Sequence, residues 1–71
     1  MIYVNLDKMM RLKGIGLVKL AERVGITTAN MSLLKNGKVK GIRFETLSKI
    51  CEILQCQPGE ILEYRDNEHA K

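Results

Sequence analysis

Cysteine and histidine are the side chains of this 71-residue chain that most often hold metals or form disulfides. The sequence contains two cysteines, Cys51 and Cys56, and a single histidine, His69, in a polar C-terminal stretch. A structural zinc site needs about four ligands, and these three residues show no CxxC spacing. We therefore expect no bound metal and no disulfide, and interpret both cysteines as reduced, buried or half-buried thiols on a helix.

Catalytic groups are equally sparse. His69 has no nucleophile placed beside it, and Glu60 and Glu63 lie three residues apart on a surface that we expect to be solvated. The glycines Gly14 and Gly16 do not match the GxGxxG spacing of a phosphate-binding loop. The sequence therefore predicts no enzymatic activity, no cofactor and no small-molecule substrate.

The charged residues are distributed unevenly along the chain. Residues 1–43 hold nine Lys and Arg against two acids, a net charge of +7, whereas residues 44–71 hold three against six, a net charge of −3. A run of charge is often only a solvated surface. A basic half backed by an acidic half is also typical of a protein that binds polyanionic nucleic acid from one side. The chain lacks the stacking aromatics that recognition of single-stranded RNA uses, so we favour double-stranded DNA.

Residues 17–37 are interpreted as two helices joined by a tight turn. In the first helix the apolar residues recur at the spacing of one helical face, and Gly25 follows the last of them, where a left-handed backbone is needed. Ile26 is expected to point inward, and either Thr27 or Thr28 to cap the second helix. The apolar residues of the first helix are Leu17, Leu20, Ala21 and Val24.

The second helix of this unit is predicted to bury Met31 and Leu34 and to end at Asn36 and Gly37. When those two apolar residues face inward, the helical repeat places Asn30 near the boundary of the opposite, outward face. The residues predicted on the outward face are Thr28, Ala29, Asn30, Ser32 and Leu33.

The remaining residues are predicted to complete a small core around this unit. We expect a first helix over Leu6–Lys13, capped by Asn5, and a fourth over Phe44–Leu54, with short strands at 2–4 and 63–65 that pair. A last helix begins at Pro58 and covers 58–62. Residues 1–65 would form one domain and residues 66–71 a disordered tail. The predicted core residues of the first and fourth helices are Leu6, Met9, Met10, Phe44, Leu47, Ile50, Cys51 and Leu54.

At these residues the chain resembles the Cro/C1-type helix-turn-helix family of phage-repressor-like transcriptional regulators. The resemblance implies an all-α, compact five-helix DNA-binding domain. The short pairing of strands at the two chain ends would be added to these five helices. It also implies that the helix at 28–36 enters the major groove of DNA. The matching pieces are Leu20-Ala21, Val24-Gly25-Ile26, Thr27, Met31, Leu34, Asn36-Gly37-Lys38, Arg43-Phe44, Leu47, Leu54 and Pro58-Gly59-Glu60-Ile61-Leu62.

The resemblance further implies two sets of DNA contacts. Asn30 would read adenine, and Leu33 would either touch a thymine methyl group or lie partly buried against a neighbouring element. The residues implied to face bases are Thr28, Ala29, Asn30, Ser32 and Leu33. Those expected to contact phosphates, including backbone N–H groups at the start of the helix at Leu17, are Leu17, Thr27, Lys35, Asn36, Lys38, Lys40 and Arg43.

Three positions depart from the family pattern. Gly16 and Leu17 replace the usual Thr-Gln, which weakens the helix cap and removes one DNA contact. Met10 and Lys35 replace an arginine and a glutamate that often form a buried ion pair, so we expect Lys35 to be unpaired and free to face phosphate. The reading face also lacks glutamine and arginine. The sequence is thus better supplied with phosphate contacts than with base contacts.

The leading hypothesis is a cytoplasmic transcriptional regulator, a repressor that binds DNA as a homodimer. The edge strands, the last helix or the DNA itself would bring two copies together. The alternative is a protein-interaction module, of the antitoxin kind or a partner of another regulator, with weak DNA binding. In that hypothesis Leu17 and Leu33 would be exposed side by side. The N-terminal sequence MIYVN lacks the regions of a signal peptide, and no apolar run is long enough to span a membrane.

Overall fold

Five helices and one two-stranded antiparallel sheet form the computed structural model, which describes residues 1–66. The predicted bounds of the first and fourth helices are confirmed. The last helix ends one residue earlier than predicted and the second strand begins one residue earlier. Apart from Asp66, the tail predicted at 66–71 lies outside the described residues. The elements are β1 (Ile2–Val4), α1 (Leu6–Lys13), α2 (Leu17–Val24), α3 (Thr28–Lys35), α4 (Phe44–Leu54), α5 (Pro58–Ile61) and β2 (Leu62–Tyr64).

Every helix contributes at least one fully buried apolar side chain to a single core. The predicted inward faces of α1, α2 and α3 are confirmed, and Cys51 and Leu17 are half-buried at the edge of the same cluster. Because each helix is short, its stability comes mainly from this shared burial and not from helix propensity. The largest fully buried side chains are Leu6, Leu20, Met31, Ile50, Leu54 and Ile61.

Phe44 is the predicted core residue that the structure places elsewhere. Its side chain is 85% exposed, whereas Leu47, Ile50 and Leu54 on the same helical face are buried. The spacing identified the inward face of α4 correctly. Phe44 begins the helix, however, and the neighbouring elements leave its side chain uncovered. The prediction that Phe44 closes the core was therefore wrong.

The first four helices end in the same way. The chain passes through a residue with a left-handed backbone, and the next N–H donates to the carbonyl five residues before it, which satisfies a free helix-end carbonyl. Gly25 supplies the left-handed residue after α2, with φ 91°, and Gln55 does so after α4 despite carrying a side chain, with φ 52°. The four hydrogen bonds are Ile15 to Met10, Ile26 to Ala21, Lys38 to Leu33 and Cys56 to Cys51.

The two chain ends are tied together at α1. As predicted, Ile2–Val4 pairs with the C-terminal strand, and Val4 lies opposite Leu62. The prediction that Asn5 caps α1 was wrong, because its side chain makes no cap hydrogen bond. Instead Asn5 Nδ2 donates to Glu63 Oε1 over 2.7 Å, and the Asn5 N–H donates to the Ile61 carbonyl over 2.6 Å. Asn5 thus anchors the sheet to the helices.

Candidate nucleic-acid interface

The turn between α2 and α3 fixes the direction in which α3 leaves the core. Ala21 is buried where the two helices pack, and its carbonyl accepts hydrogen bonds from both Gly25 N–H and Ile26 N–H. Thr27, not Thr28, caps α3, because Thr27 Oγ1 accepts from Asn30 N–H over 3.0 Å. A small residue at the crossing and a capped helix start hold α3 in one orientation on the surface.

One face of α3 is anchored and the other is exposed. Met31 and Leu34 are buried, and Leu33 is 46% exposed on the opposite side. Of the five residues predicted to face bases, Ser32 is half-buried and the other four are exposed, namely Thr28, Ala29, Asn30 and Leu33. The structure therefore presents the predicted reading face to the outside, with Ser32 at its margin.

The basic loop after α3 lies against this face. Leu33, Asn30 and Arg43 line one shallow depression between α3 and the loop, so residues from both predicted sets are brought together. Lys40 lines the adjoining depression beside β1. The four polar or basic loop residues predicted to contact phosphate are all exposed: Asn36, Lys38, Lys40 and Arg43.

Lys35 is less available than predicted. Its Nζ lies 3.8 Å from Asp7 Oδ1 on α1, and its side chain is only 29% exposed. Asp7 also pairs with Arg11 Nη1 over 3.0 Å. The expectation that Lys35 would be unpaired was wrong. Its partner, Asp7, lies three residues before Met10, which occupies the position of the family's arginine. Residues three apart share a face of a helix, so Asp7 lies on the same face of α1 as that position.

The start of α2 has no side-chain cap. Gly16 precedes the helix in an extended conformation and offers no oxygen from a side chain, as its sequence predicts. Leu17 is half-buried against the core. The N–H groups of this first turn lack intrahelical partners, and such a helix end favours an anion.

Leu17 and Leu33 do not share the exposed apolar surface that the protein-interaction hypothesis requires. Leu17 packs on the core, and the depression that Leu33 lines contains Ile26, Val39 and Ile42 instead. Sequence reasoning gave Val39 no role. Its position as an apolar residue between Lys38 and Lys40 in a basic loop could have indicated that it packs against another apolar side chain. The geometry therefore joins Leu33 to the basic loop and not to Leu17.

Residues 1–66 contain neither a group of metal ligands nor a membrane-spanning helix. Within that range no three His, Cys, Asp or Glu side chains are grouped so that they could hold a metal ion. His69 lies outside it. None of the helices described there is long and apolar enough to cross a membrane. Cys51 and Cys56 are both free thiols and half-buried.

Two comparisons with known proteins point to DNA. Residues 5–67 match the model of the Cro/C1-type HTH DNA-binding domain. The chain is also similar to a Bacillus subtilis (strain 168) protein named uncharacterized HTH-type transcriptional regulator YozG. The two are 55% identical over 67 residues, which cover 94% of this chain and 80% of that relative.

Proposed function

The chain belongs to the Cro/C1-type helix-turn-helix DNA-binding family, and from this we propose that it regulates transcription by placing α3 in the major groove. The observation that supports this most is the exposed face of α3, which lies beside the exposed cations of the following loop. The similarity to a protein named as a transcriptional regulator supports the same conclusion. We propose repression in the cytoplasm, because repression requires only that the protein occupy its site. Catalysis forms no part of the proposal.

Base recognition would come from the exposed residues of α3. The Asn30 side chain can donate to and accept from adenine, and the Thr28 hydroxyl can bond to either a base or a phosphate. Ala29 and Leu33 would contact thymine methyl groups, with Ser32 at the edge of the contact. Since no arginine or glutamine lies on this face, we infer a target read through adenine and thymine.

Phosphate contacts would position α3 in the groove. We propose that Lys38, Lys40 and Arg43 neutralise phosphates on one side of α3, with the Asn36 amide and the Thr27 O–H donating to the same strand. The N–H groups at Leu17 would hold a phosphate across the groove. We leave Lys35 out of this set, because its amine already faces Asp7.

A dimer would use a surface formed by α4 and α5. A groove runs between α4 and α5, and the exposed ring of Phe44 stands at its edge beside Leu47 and Pro58. In a two-fold symmetric contact both copies use the same surface, so the ring of each copy would fill the groove of the other. We propose this groove as the dimer surface, and dimers of this kind bind half-sites about 34 Å apart.

Fluorescence anisotropy across a salt series tests the proposal. One labelled duplex carries the DNA upstream of the protein's own gene, and a scrambled duplex of equal length serves as the control. We expect the first to bind about 10³-fold more tightly. Replacing Lys40 with alanine should reduce the log–log salt slope by about 0.9 for each phosphate released, whereas Lys49→Ala, which removes an exposed lysine of α4, should leave it unchanged. Equal affinity for both duplexes would contradict sequence-specific regulation.

A further inference from the structure

Two thiols meet where α4 turns into α5. The Cys56 N–H donates to the Cys51 carbonyl over 3.1 Å across the left-handed Gln55, and this turn folds Cys56 back over the last turn of α4. A helix end of this kind brings the two side chains that flank the turn side by side, and both cysteines line the groove between α4 and α5. The backbone therefore holds two sulfur atoms together at an open surface, without a disulfide.

The equivalent turns after α1 and α2 place ordinary apolar pairs at these positions, Met10 with Ile15 and Ala21 with Ile26. Apolar packing therefore requires no cysteine at this kind of helix end. What the two cysteines add is a pair of sulfur donors that the turn places next to each other. In addition, the groove gives a ligand direct access to both of them.

The surroundings of the pair select the kind of ligand that can bind. Partial burial, with the neighbouring Cys51 and the Glu60 carboxylate, raises the pKa of the Cys56 thiol above its usual value. A thiol with a raised pKa is a poor single nucleophile, because the thiolate is the reactive form. Glu52 and Glu60 also line the groove and disfavour anionic reagents. No third ligand is grouped with the thiols among residues 1–66, so a metal that needs four donors is poorly served.

We propose that Cys51 and Cys56 form a binding site for a neutral, thiophilic trivalent arsenic compound, which both sulfur atoms bind together. With phenylarsine oxide as the probe, two As–S bonds form, and the arsenic–oxygen bond and two S–H bonds break. The two thiol protons leave with the oxygen as one molecule of water. Arsenic stays trivalent and neither sulfur is oxidised.

Such a ligand would occupy the groove that we propose as the dimer surface. It would lie in the same groove as Leu47 and Pro58, at whose edge Phe44 stands, and would compete with the ring of a second copy. Arsenical binding would then weaken the dimer and, through it, DNA binding. This consequence rests on the proposed function, whereas the two-sulfur site does not.

Titration of the full chain with phenylarsine oxide, followed by intact mass spectrometry, tests the site. The variants Cys51→Ser and Cys56→Ser each keep one thiol and change little volume, and circular dichroism checks that they remain folded. We expect one arsenical per wild-type chain, and we expect it to stay bound in excess monothiol. Each single variant should bind the arsenical at least about 10²-fold more weakly, because two linked contacts give an affinity higher than one contact by that factor. Equal affinity in wild type and either variant, or two arsenicals per chain, would overturn the two-sulfur site.

Sedimentation of the adduct separates this proposal from the dimer. A wild-type dimer that becomes monomeric in the one-to-one adduct supports the regulatory consequence, and a dimer that survives in the adduct overturns it. A chain that is monomeric before the probe is added contradicts the proposed dimer, while the mass spectrum still decides the arsenical site.

Discussion

Replacing Leu33 with alanine tests whether an apolar side chain reads DNA at the centre of the proposed interface. Full burial of a leucine is worth about 1.5–3 kcal/mol relative to exposure. Because 46% of Leu33 is still exposed in the free protein, covering that part should contribute about 0.7–1.4 kcal/mol for each α3. We therefore expect Leu33→Ala to weaken binding to the specific duplex by about 3- to 10-fold for each α3.

Substituting uracil for thymine in the DNA shows what Leu33 contacts. Uracil lacks only the C5-methyl group, which is the atom group that an apolar side chain can read in the major groove. Each thymine of the specific duplex is replaced in turn, and the affinities of wild type and Leu33→Ala are measured by anisotropy. At the contacted thymine, uracil should weaken wild-type binding but leave the variant nearly unchanged, because the two changes remove the same contact.

Leu12→Ala is the matched control, since Leu12 is an exposed leucine on α1, outside the proposed interface. We expect it to bind both duplexes as the wild type does. If uracil weakens wild type and Leu33→Ala equally at every position, Leu33 reads no methyl group. Unchanged affinity of Leu33→Ala would show that DNA does not cover this side chain at all.

Three further predictions concern stability and are read from urea unfolding. Thr27→Ala removes the cap hydrogen bond to Asn30 and should lower the free energy of unfolding by about 1 kcal/mol, whereas Thr27→Ser should retain most of it. Met31→Ala empties a fully buried site and should cost about 2–5 kcal/mol; a loss below 1 kcal/mol would mean that the core had collapsed around the gap. Hydrogen bonds from Arg65 and Asn5 hold the pKa of Glu63 below its usual 4.5. These bonds therefore stabilise the folded protein above pH 4.5, and the stabilisation is lost as the pH falls through the lowered pKa of Glu63. Glu63→Gln should therefore show a shallower loss of stability below pH 4.5 than wild type, and an identical acid profile would contradict this.

Local patterns in the sequence were sufficient to predict the five helices and most of their ends. Apolar spacing, together with glycines at the ends, predicted the bounds of α1 and the inward face of α3. These features depend on neighbouring residues and on the backbone freedom of glycine. The strand pairing was also predicted, although β2 begins at Leu62, one residue earlier than expected.

Features that depend on distant elements were predicted less well. Phe44 has the right spacing for the core, but spacing cannot show that no element packs over its side chain. Asparagine is a common helix cap, yet the Asn5 side chain donates its hydrogen bond to Glu63, which is far away in the sequence. Val39 gains its place beside Leu33 only through the path of the loop. In each case the missing information was which element lies opposite.

The ion pair between Asp7 and Lys35 joins α1 to the end of α3, as the arginine–glutamate pair of the family pattern would, but with the charges exchanged. This exchange affects more than packing. An acid at position 35 would repel phosphate, whereas Lys35 balances an acid of α1 and leaves the end of α3 without net negative charge. The exposed cations beyond that point, which we propose that DNA would meet, are those of the loop, at Lys38, Lys40 and Arg43. The loop would thus provide most of the DNA-binding affinity, and the few exposed side chains of α3 would discriminate between DNA sequences.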